Sequence, residues 1–561
     1  MLLGFTFKFG GSVMELFLPM LLSYIIDDVT PTGNKKMIYF CGFLMFFCSC
    51  LAILGNIAAN RIAAHVGRDS TEKLRNDLFR RISYLSARQM DYFTVPSLES
   101  RLTSDTYNIH TMVGRIQRLG VRAPCLLIGG ITVAFTLEPV LTLLIIATMP
   151  FIAFSVYYIT KKSIPMYEDQ QTENDNMTRV VRENVQGIRI IKALGKEESE
   201  TVRFDGCNSA LNHAEKKASL TTSLTSPLMN VFLNLGLVSV IVVGAYRVNA
   251  GLSETGKIIA FTSYFTIILN ALMSVTKMFV ISSRGIASAK RIGEVLDTPY
   301  DMEADEKYRV IPAVSHPKIE FEHVSFSYNG VRNDIDDVSF TLGENETLGI
   351  IGPTGSGKTT LIALLMRQYD CDSGRVLIDG QDVRAMTKKE ISAKFGAAFQ
   401  NDFLFSDTIG ANIDFMRGIS EDEIKRGAEN AQADKFISEK PGGYDFELSI
   451  KGANLSGGQR QRVILSRALS ASPEILVLDD SSSALDYATD AALRKAIREN
   501  YAHKTTSVIV AQRISSIMHS DLILVLEDGR VTGRGKHEEL MKNCALYREI
   551  SESQMGGALL E

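Results

Sequence analysis

Six runs of mostly apolar residues occupy the first half of the chain, at roughly 1–27, 37–60, 115–136, 139–161, 225–248 and 257–282. A helix that crosses a bilayer needs about 20 such residues. Inside lipid, each backbone N–H and C=O must find its partner within the helix. The runs therefore predict an all-α, six-span membrane domain over residues 1–285. With 45% hydrophobic and 22% charged residues, the chain is neither disordered nor collagen-like, and the runs exclude a purely soluble enzyme. Lys+Arg 60 against Asp+Glu 64 leaves a net charge of −4, which gives no support to nucleic acid as a partner. Seven scattered cysteines show no paired CxxC spacing and read as free or buried thiols. No small-residue cleavage site follows the first run, so no signal peptide is expected, and any helix leading into the membrane is expected to be short or absent.

Loop charge orients the bundle. The connections between runs 2 and 3 and between runs 4 and 5 are long and basic, with Arg68, Lys73, Arg75, Arg80, Arg81 and Arg88 in one and Lys161, Lys162, Arg179, Arg182, Arg189, Lys192 and Lys196 in the other. Positive loops stay cytoplasmic. Both termini and everything after run 6 are therefore expected on the cytoplasmic side of a plasma membrane, in a multi-pass protein of a bacterial inner membrane. Leu74, Leu78, Ile82 and Leu85 share one helix face, so the spans are expected to continue into the cytoplasm. Breaks at Ser86–Thr94 and near Glu198–Asp205 suit short helices that press on a soluble domain. Glu15 and the pairs Asn230/Asn234 and Asn270/Ser274 are polar positions within the runs; they either line a substrate path or bond helix to helix.

Residues 286–317 are polar and carry Pro299, Pro312 and Pro317, which reads as the exit from the sixth run plus a linker. From Lys318 the pattern alternates as a strand does. Residues 318–561 then read as an α/β nucleotide-binding domain. Gly352, Pro353, Thr354, Gly355, Ser356, Gly357, Lys358 and Thr359 fit G-x-x-x-x-G-K-[ST] between a plausible strand and a plausible helix that includes Thr360. Glycines there let backbone N–H groups cradle phosphate at a helix N-terminus. Lys358 is placed on the β/γ-phosphates of ATP and the Thr359 hydroxyl on Mg²⁺.

The apolar run 474–480 ends in two carboxylates. Asp479 is the expected Mg²⁺-side acid, and Asp480 sits where an acid that positions the attacking water belongs. Between these motifs, Ser456, Gly457, Gly458 and Gln459 form a second phosphate-binding device, a Ser-Gly-Gly run ahead of a helix. One nucleotide does not need two such cradles from one molecule. Two chains facing head-to-tail would use both.

These motifs together resemble an ATP-binding cassette (ABC) exporter half-transporter, a six-helix transmembrane domain followed by one P-loop NTPase domain of the ABC type. The resemblance spans nearly the whole chain. It implies that Tyr328 stacks on adenine, that Gln400 joins the Mg²⁺ site (with Thr359 and Asp479) to the membrane domain, and that Leu455–Gln459 is the family signature. It further implies that Ser483–Asp486 crosses the dimer interface, and that residues 100–106 and 187–198 are intracellular-loop sequences.

Two departures from the family pattern bear on mechanism. The catalytic position holds Asp480 where the family has Glu, and the switch position holds Gln512 where it has His. The shorter carboxylate lies about 1.5 Å back, and a misplacement of about 1 Å can cost about 10²-fold in rate. A glutamine can bond a γ-phosphate but carries neither proton nor positive charge. The resemblance then implies the degenerate-site subunit of a heterodimeric, multidrug-type exporter. Its own pocket holds ATP and hydrolyses it poorly, and its signature loop completes an active site on a second half-transporter. The cargo is expected to be a hydrophobic or amphipathic drug, lipid or peptide. The alternatives are a slow homodimeric exporter or lipid flippase, and an ATP-gated regulator that pumps nothing.

Overall fold

The computed structural model describes residues 2–309, 316–400, 402–481, 484–501 and 503–556. Pro312 and Ser483 lie outside them. The chain divides into two compact units, one holding residues up to Ile82 with Pro96–Asp297, the other Ser83–Val95 with residues from Thr298 onward.

In the first unit, six helices among the described residues are long and apolar enough to cross a membrane. Helix α1 is Leu2–Tyr24 and α2 is Lys35–Ser83. The 49 residues of α2 span about 74 Å at 1.5 Å per residue, against a hydrocarbon core of about 30 Å. Its apolar part ends near Asn60 and its charged part carries Arg68, Lys73, Arg75, Arg80 and Arg81, so the excess length runs into water. After α3 (Ala87–Phe93) the chain forms α4 (Thr106–Leu137), α5 (Pro139–Leu194), α6 (Glu197–Ser223), α7 (Thr225–Asn249) and α8 (Thr255–Leu296). Pro139 opens α5 at the first helical position, and Gly195 closes it at φ +59, a left-handed turn that glycine makes without strain.

The helices bear on three sequence expectations. The turn expected near Glu198–Asp205 lies at Gly195, and those residues begin α6, a single helix of the first unit. Helix α8 continues through residues 286–296 as the exit from the sixth span, because Ile292 and Val295 extend its buried face. Among the described residues both polar pairs bond within their own helix: Asn234 donates to the Asn230 carbonyl at 2.8 Å and Ser274 to the Asn270 carbonyl at 2.8 Å. Within segment 100–106, Asp105 is buried, accepting from Ser288 at 2.8 Å and from the Arg291 guanidinium, which ties the α4 and α8 extensions together.

The second unit is the α/β domain. A four-stranded antiparallel sheet has the order β2-β1-β4-β5, with β1 Ile319–Phe326, β2 Ile335–Leu342, β4 Ser373–Ile378 and β5 Gln381–Asp382. A six-stranded sheet has the order β10-β9-β3-β8-β7-β6. Its strands are β3 Thr347–Ile351, β6 Phe395–Ala398, β7 Ile475–Asp479, β8 Thr506–Val510, β9 Leu522–Glu527 and β10 Arg530–Gly535. All neighbouring pairs are parallel except β9/β10. Every residue of β7 is buried, as a central parallel strand requires. Because β8 lies between β3 and β7, the segments that follow all three emerge at one edge, the carboxyl end where open α/β sheets bind ligands. Helix α3 belongs to this unit: Ser86 donates to Asp301 at 2.8 Å, Gln89 to the Pro299 carbonyl at 2.9 Å, and Tyr369 to Asp91 at 2.6 Å.

Candidate nucleotide site

The loop between β3 and α9 (Lys358–Leu365) is held in a shape that side chains would block. A Cβ on Gly352 would lie 2.0 Å from the Leu526 carbonyl oxygen. At Gly357 (φ +97) it would lie 2.7 Å from the Asp334 carbonyl. At Gly355 (φ +83) the surrounding space is open. The Ser356 hydroxyl is buried inside the loop without a hydrogen-bond partner. An orphaned buried donor in a ring of glycine N–H groups fits a phosphate oxygen. Lys358 Nζ donates to the Gly352 and Pro353 carbonyls at 2.8 and 2.7 Å, so its ammonium sits over the same loop. Burial lowers the Lys358 pKa, and the Asp479 and Asp480 charges oppose that shift.

Thr359 and Asp479 both line this cleft, and the Thr359 hydroxyl acts to lower the Asp479 pKa. One hydroxyl and one carboxylate beside a phosphate cradle suit Mg²⁺, which takes few protein ligands and fills its shell with phosphate and water. Burial pushes Asp479 above the usual carboxylate range. Burial, and then the Asp479 charge, does the same to Asp480. Asp480 sits at φ +47 just past β7, with its N–H bonded to the Val510 carbonyl at 2.9 Å, so its side chain turns into the cleft. There Asp480 Oδ2 accepts from Gln512 Nε2 at 2.7 Å and from Gln400 Nε2 at 3.2 Å. The cleft, about 270 Å³, is lined by Thr354, Gly355, Gly357, Lys358, Thr359, Thr360, Gln400, Asp479, Asp480 and Gln512 from the sequence reading, together with Asp334 and Val510.

Tyr328 stands beside this cleft, half exposed, with its hydroxyl 3.4 Å from Thr360 Oγ1 and its ring edge-on to Tyr369 at 5.1 Å. Ser456, Gly457, Gly458 and Gln459 are not brought to the cleft. They open α10 (Gly457–Ser470), where Ser456 and Gln459 form a reciprocal cap, Gln459 N–H to Ser456 Oγ at 3.3 Å and Ser456 N–H to Gln459 Oε1 at 3.1 Å. Ser456 and Gly457 are exposed, leaving the helix N-terminus open for contact. Of the residues 483–486, Asp486 caps α11 (Tyr487–Asn500) through the Thr489 N–H at 2.9 Å. Asp334 was not legible in the sequence. Its carbonyl packs on Gly357 and its carboxylate accepts from the Tyr328 N–H at 3.0 Å, but no motif spacing marks it.

Comparison with known proteins gives the same two parts. The family model of the ABC transporter transmembrane region matches residues 1–272, and that of the ABC transporter matches residues 335–483. The chain is 34% identical to an uncharacterised ABC transporter ATP-binding protein, YfiB, of Bacillus subtilis, over 97% of this chain and 94% of that protein. It is 31% identical to a fatty acid ABC transporter ATP-binding/permease protein of Mycobacterium bovis, over 86% of this chain and 76% of that protein. The structure of a bacterial Atm1-family ABC exporter with ATP bound superposes with a TM-score of 0.83 at 26% identity, covering 98% of this chain and 97% of that one.

Proposed function

The chain belongs to the ABC exporter family, as a multi-pass half-transporter with one transmembrane domain and one ATP-binding domain, and on that footing we propose that it drives export with an asymmetric pair of ATP sites. Its own pocket binds MgATP through the 352–359 loop, Thr360 and Asp479, with Tyr328 against the adenine and Gln400 linking the metal side to the membrane domain. The pocket turns ATP over slowly. The open loop Ser456–Gln459 completes the working site of a second, different half-transporter. The spans cover 1–285, residues 286–317 connect, and 318–561 bind nucleotide on the cytoplasmic face of a bacterial inner membrane.

The observation that carries this reading is the Asp480 carboxylate, whose Oδ2 is engaged by two neutral amides, Gln512 and Gln400. Neither amide can take or give a proton at neutral pH, and the carboxylate is one methylene shorter than the family's glutamate. ATP, when bound, would supply the phosphoryl group; these side chains would position the attacking water but not move its proton efficiently. Cassette closure on ATP would be passed to the spans through α3, and two six-span halves would alternate access. The named fatty acid relative supports an amphipathic cargo. A homodimeric slow exporter or flippase is the second reading, favoured by the presence of both phosphate cradles on one chain. Turnover by the purified chain, alone and with the half-transporter encoded beside it, separates the two: fast hydrolysis by the lone chain overturns the asymmetric reading. ATP-dependent accumulation in inverted vesicles separates either exporter from a regulator.

A further inference from the structure

The transmembrane unit contains a polar network that joins α1, α2 and α4. Lys8 on α1 is 4% exposed, and its ammonium donates to Asn56 Oδ1 at 2.7 Å and Asn60 Oδ1 at 3.3 Å on α2. Asn56 donates to Glu15 Oε1 at 2.9 Å. Arg122 Nη2 on α4 reaches the two Glu15 oxygens at 3.2 and 2.9 Å. Gln117, one turn before Arg122, is 4% exposed with neither amide atom hydrogen-bonded, and Arg122 Nε is also unbonded. The Gln117 amide lies 4.0 Å from where a Cβ on Gly4 would stand, one turn ahead of Lys8, so it points toward the same α1 face.

Cations outnumber acids at this level. Glu15 is paired with Arg122 and reached by Lys8 only through Asn56, while Arg118 on the same helix is exposed and its Nε spends itself on the Gly114 carbonyl. Lys277 on α8 is exposed beside Met278, whose sulfur would be 3.6 Å from a Cβ on Gly120. Charged side chains in spans face a bundle interior or a water-filled cavity and mark substrate paths. Guanidinium groups and an uncommitted amide form a fork suited to a carboxylate or phosphate. Leu3, Phe7 and Ile57, all exposed, flank the network with apolar surface for a chain attached to such a head group.

We propose that Lys8, Gln117, Arg118 and Arg122 bind the anionic head group of an amphiphile at the cytoplasmic half of the spans, and so select the cargo. This rests on the exporter reading and its orientation.

The test is direct binding of oleate and of oleylamine, without nucleotide, to the full transporter in phosphatidylcholine nanodiscs. Oleate is expected to bind at least about 10-fold more tightly than oleylamine. Gln117→Leu and Arg118→Gln are each expected to weaken oleate by about 10-fold, the loss of one charge-assisted hydrogen bond, at an unchanged melting temperature. Displacement of oleate by phosphatidylglycerol would support the site and identify its occupant as a bilayer lipid; no displacement would support a single-chain cargo. Equal binding of the two amphiphiles, or full oleate affinity in both variants, would overturn the proposal and leave a helix-bonding network. The exporter reading is judged separately, by ATP-dependent accumulation, and survives that outcome.

Discussion

Gln512 Nε2 donates to Asp480 Oδ2 at 2.7 Å, which joins the second residue after β8 to the first residue after β7 across the nucleotide cleft. Burial and the adjacent Asp479 charge hold Asp480 above the usual carboxylate range. A carboxyl whose pKa rises on folding costs nothing below its unfolded value. The cost grows as pH rises from the unfolded value to the folded one and is full above it. Asp480→Asn is therefore expected to raise the melting temperature of the nucleotide-free protein at about pH 7.5, with a smaller gain at about pH 4.5. Differential scanning fluorimetry across that range checks the sign.

Lys358 is committed to its own loop through two carbonyls and is placed to meet phosphate. Lys358→Ala removes charge-assisted bonds of about 1.5–3 kcal/mol and is expected to weaken MgATP binding by about 10–100-fold. Titration with a fluorescent ATP analogue reads the change.

Ser456 caps α10 and is exposed, away from the cleft of its own chain. Ser456→Arg is expected to leave ATP binding to this chain's pocket unchanged and to abolish most of the ATPase activity of the assembled complex. Equilibrium nucleotide binding and steady-state turnover on one preparation separate the two effects.

Tyr369 links α3 to the nucleotide side: its hydroxyl donates to Asp91 at 2.6 Å and its ring meets Tyr328 at 5.1 Å. Burial and the Asp91 hydrogen bond push its pKa up, so it stays a donor throughout the physiological range. Tyr369→Phe deletes that donor while keeping the ring. Transport per ATP hydrolysed is expected to fall by about 5–10-fold, the worth of one hydrogen bond of about 1–1.5 kcal/mol, with ATPase activity retained.

Much of this architecture was legible in residue pattern. The apolar runs mark all six spans because lipid forces a continuous helix, and the 352–359 loop is legible because only glycine tolerates its close approaches to Leu526 and Asp334. What escaped depends on long-range packing. Asp334 acts through its backbone carbonyl, which any residue carries, and Tyr369 through a partner 278 positions away. The Lys8–Asn56–Glu15–Arg122 network draws on three helices, so no single helical face reveals it. Composition does not mark where α8 ends within 286–317, because residues 286–296 are polar on average while Ile292 and Val295 still bury one side.

The central claim is that this chain's own pocket holds ATP and hydrolyses it slowly because of Asp480 and Gln512. The most direct measurement is vanadate trapping of photoreactive nucleotide on this chain in the assembled complex, which reports hydrolysis in its pocket alone. The double variant Asp480→Glu, Gln512→His is expected to increase trapping here by about 10²-fold over wild type, the cost of a catalytic group misplaced by about 1 Å. Equal trapping in wild type and double variant would contradict the claim.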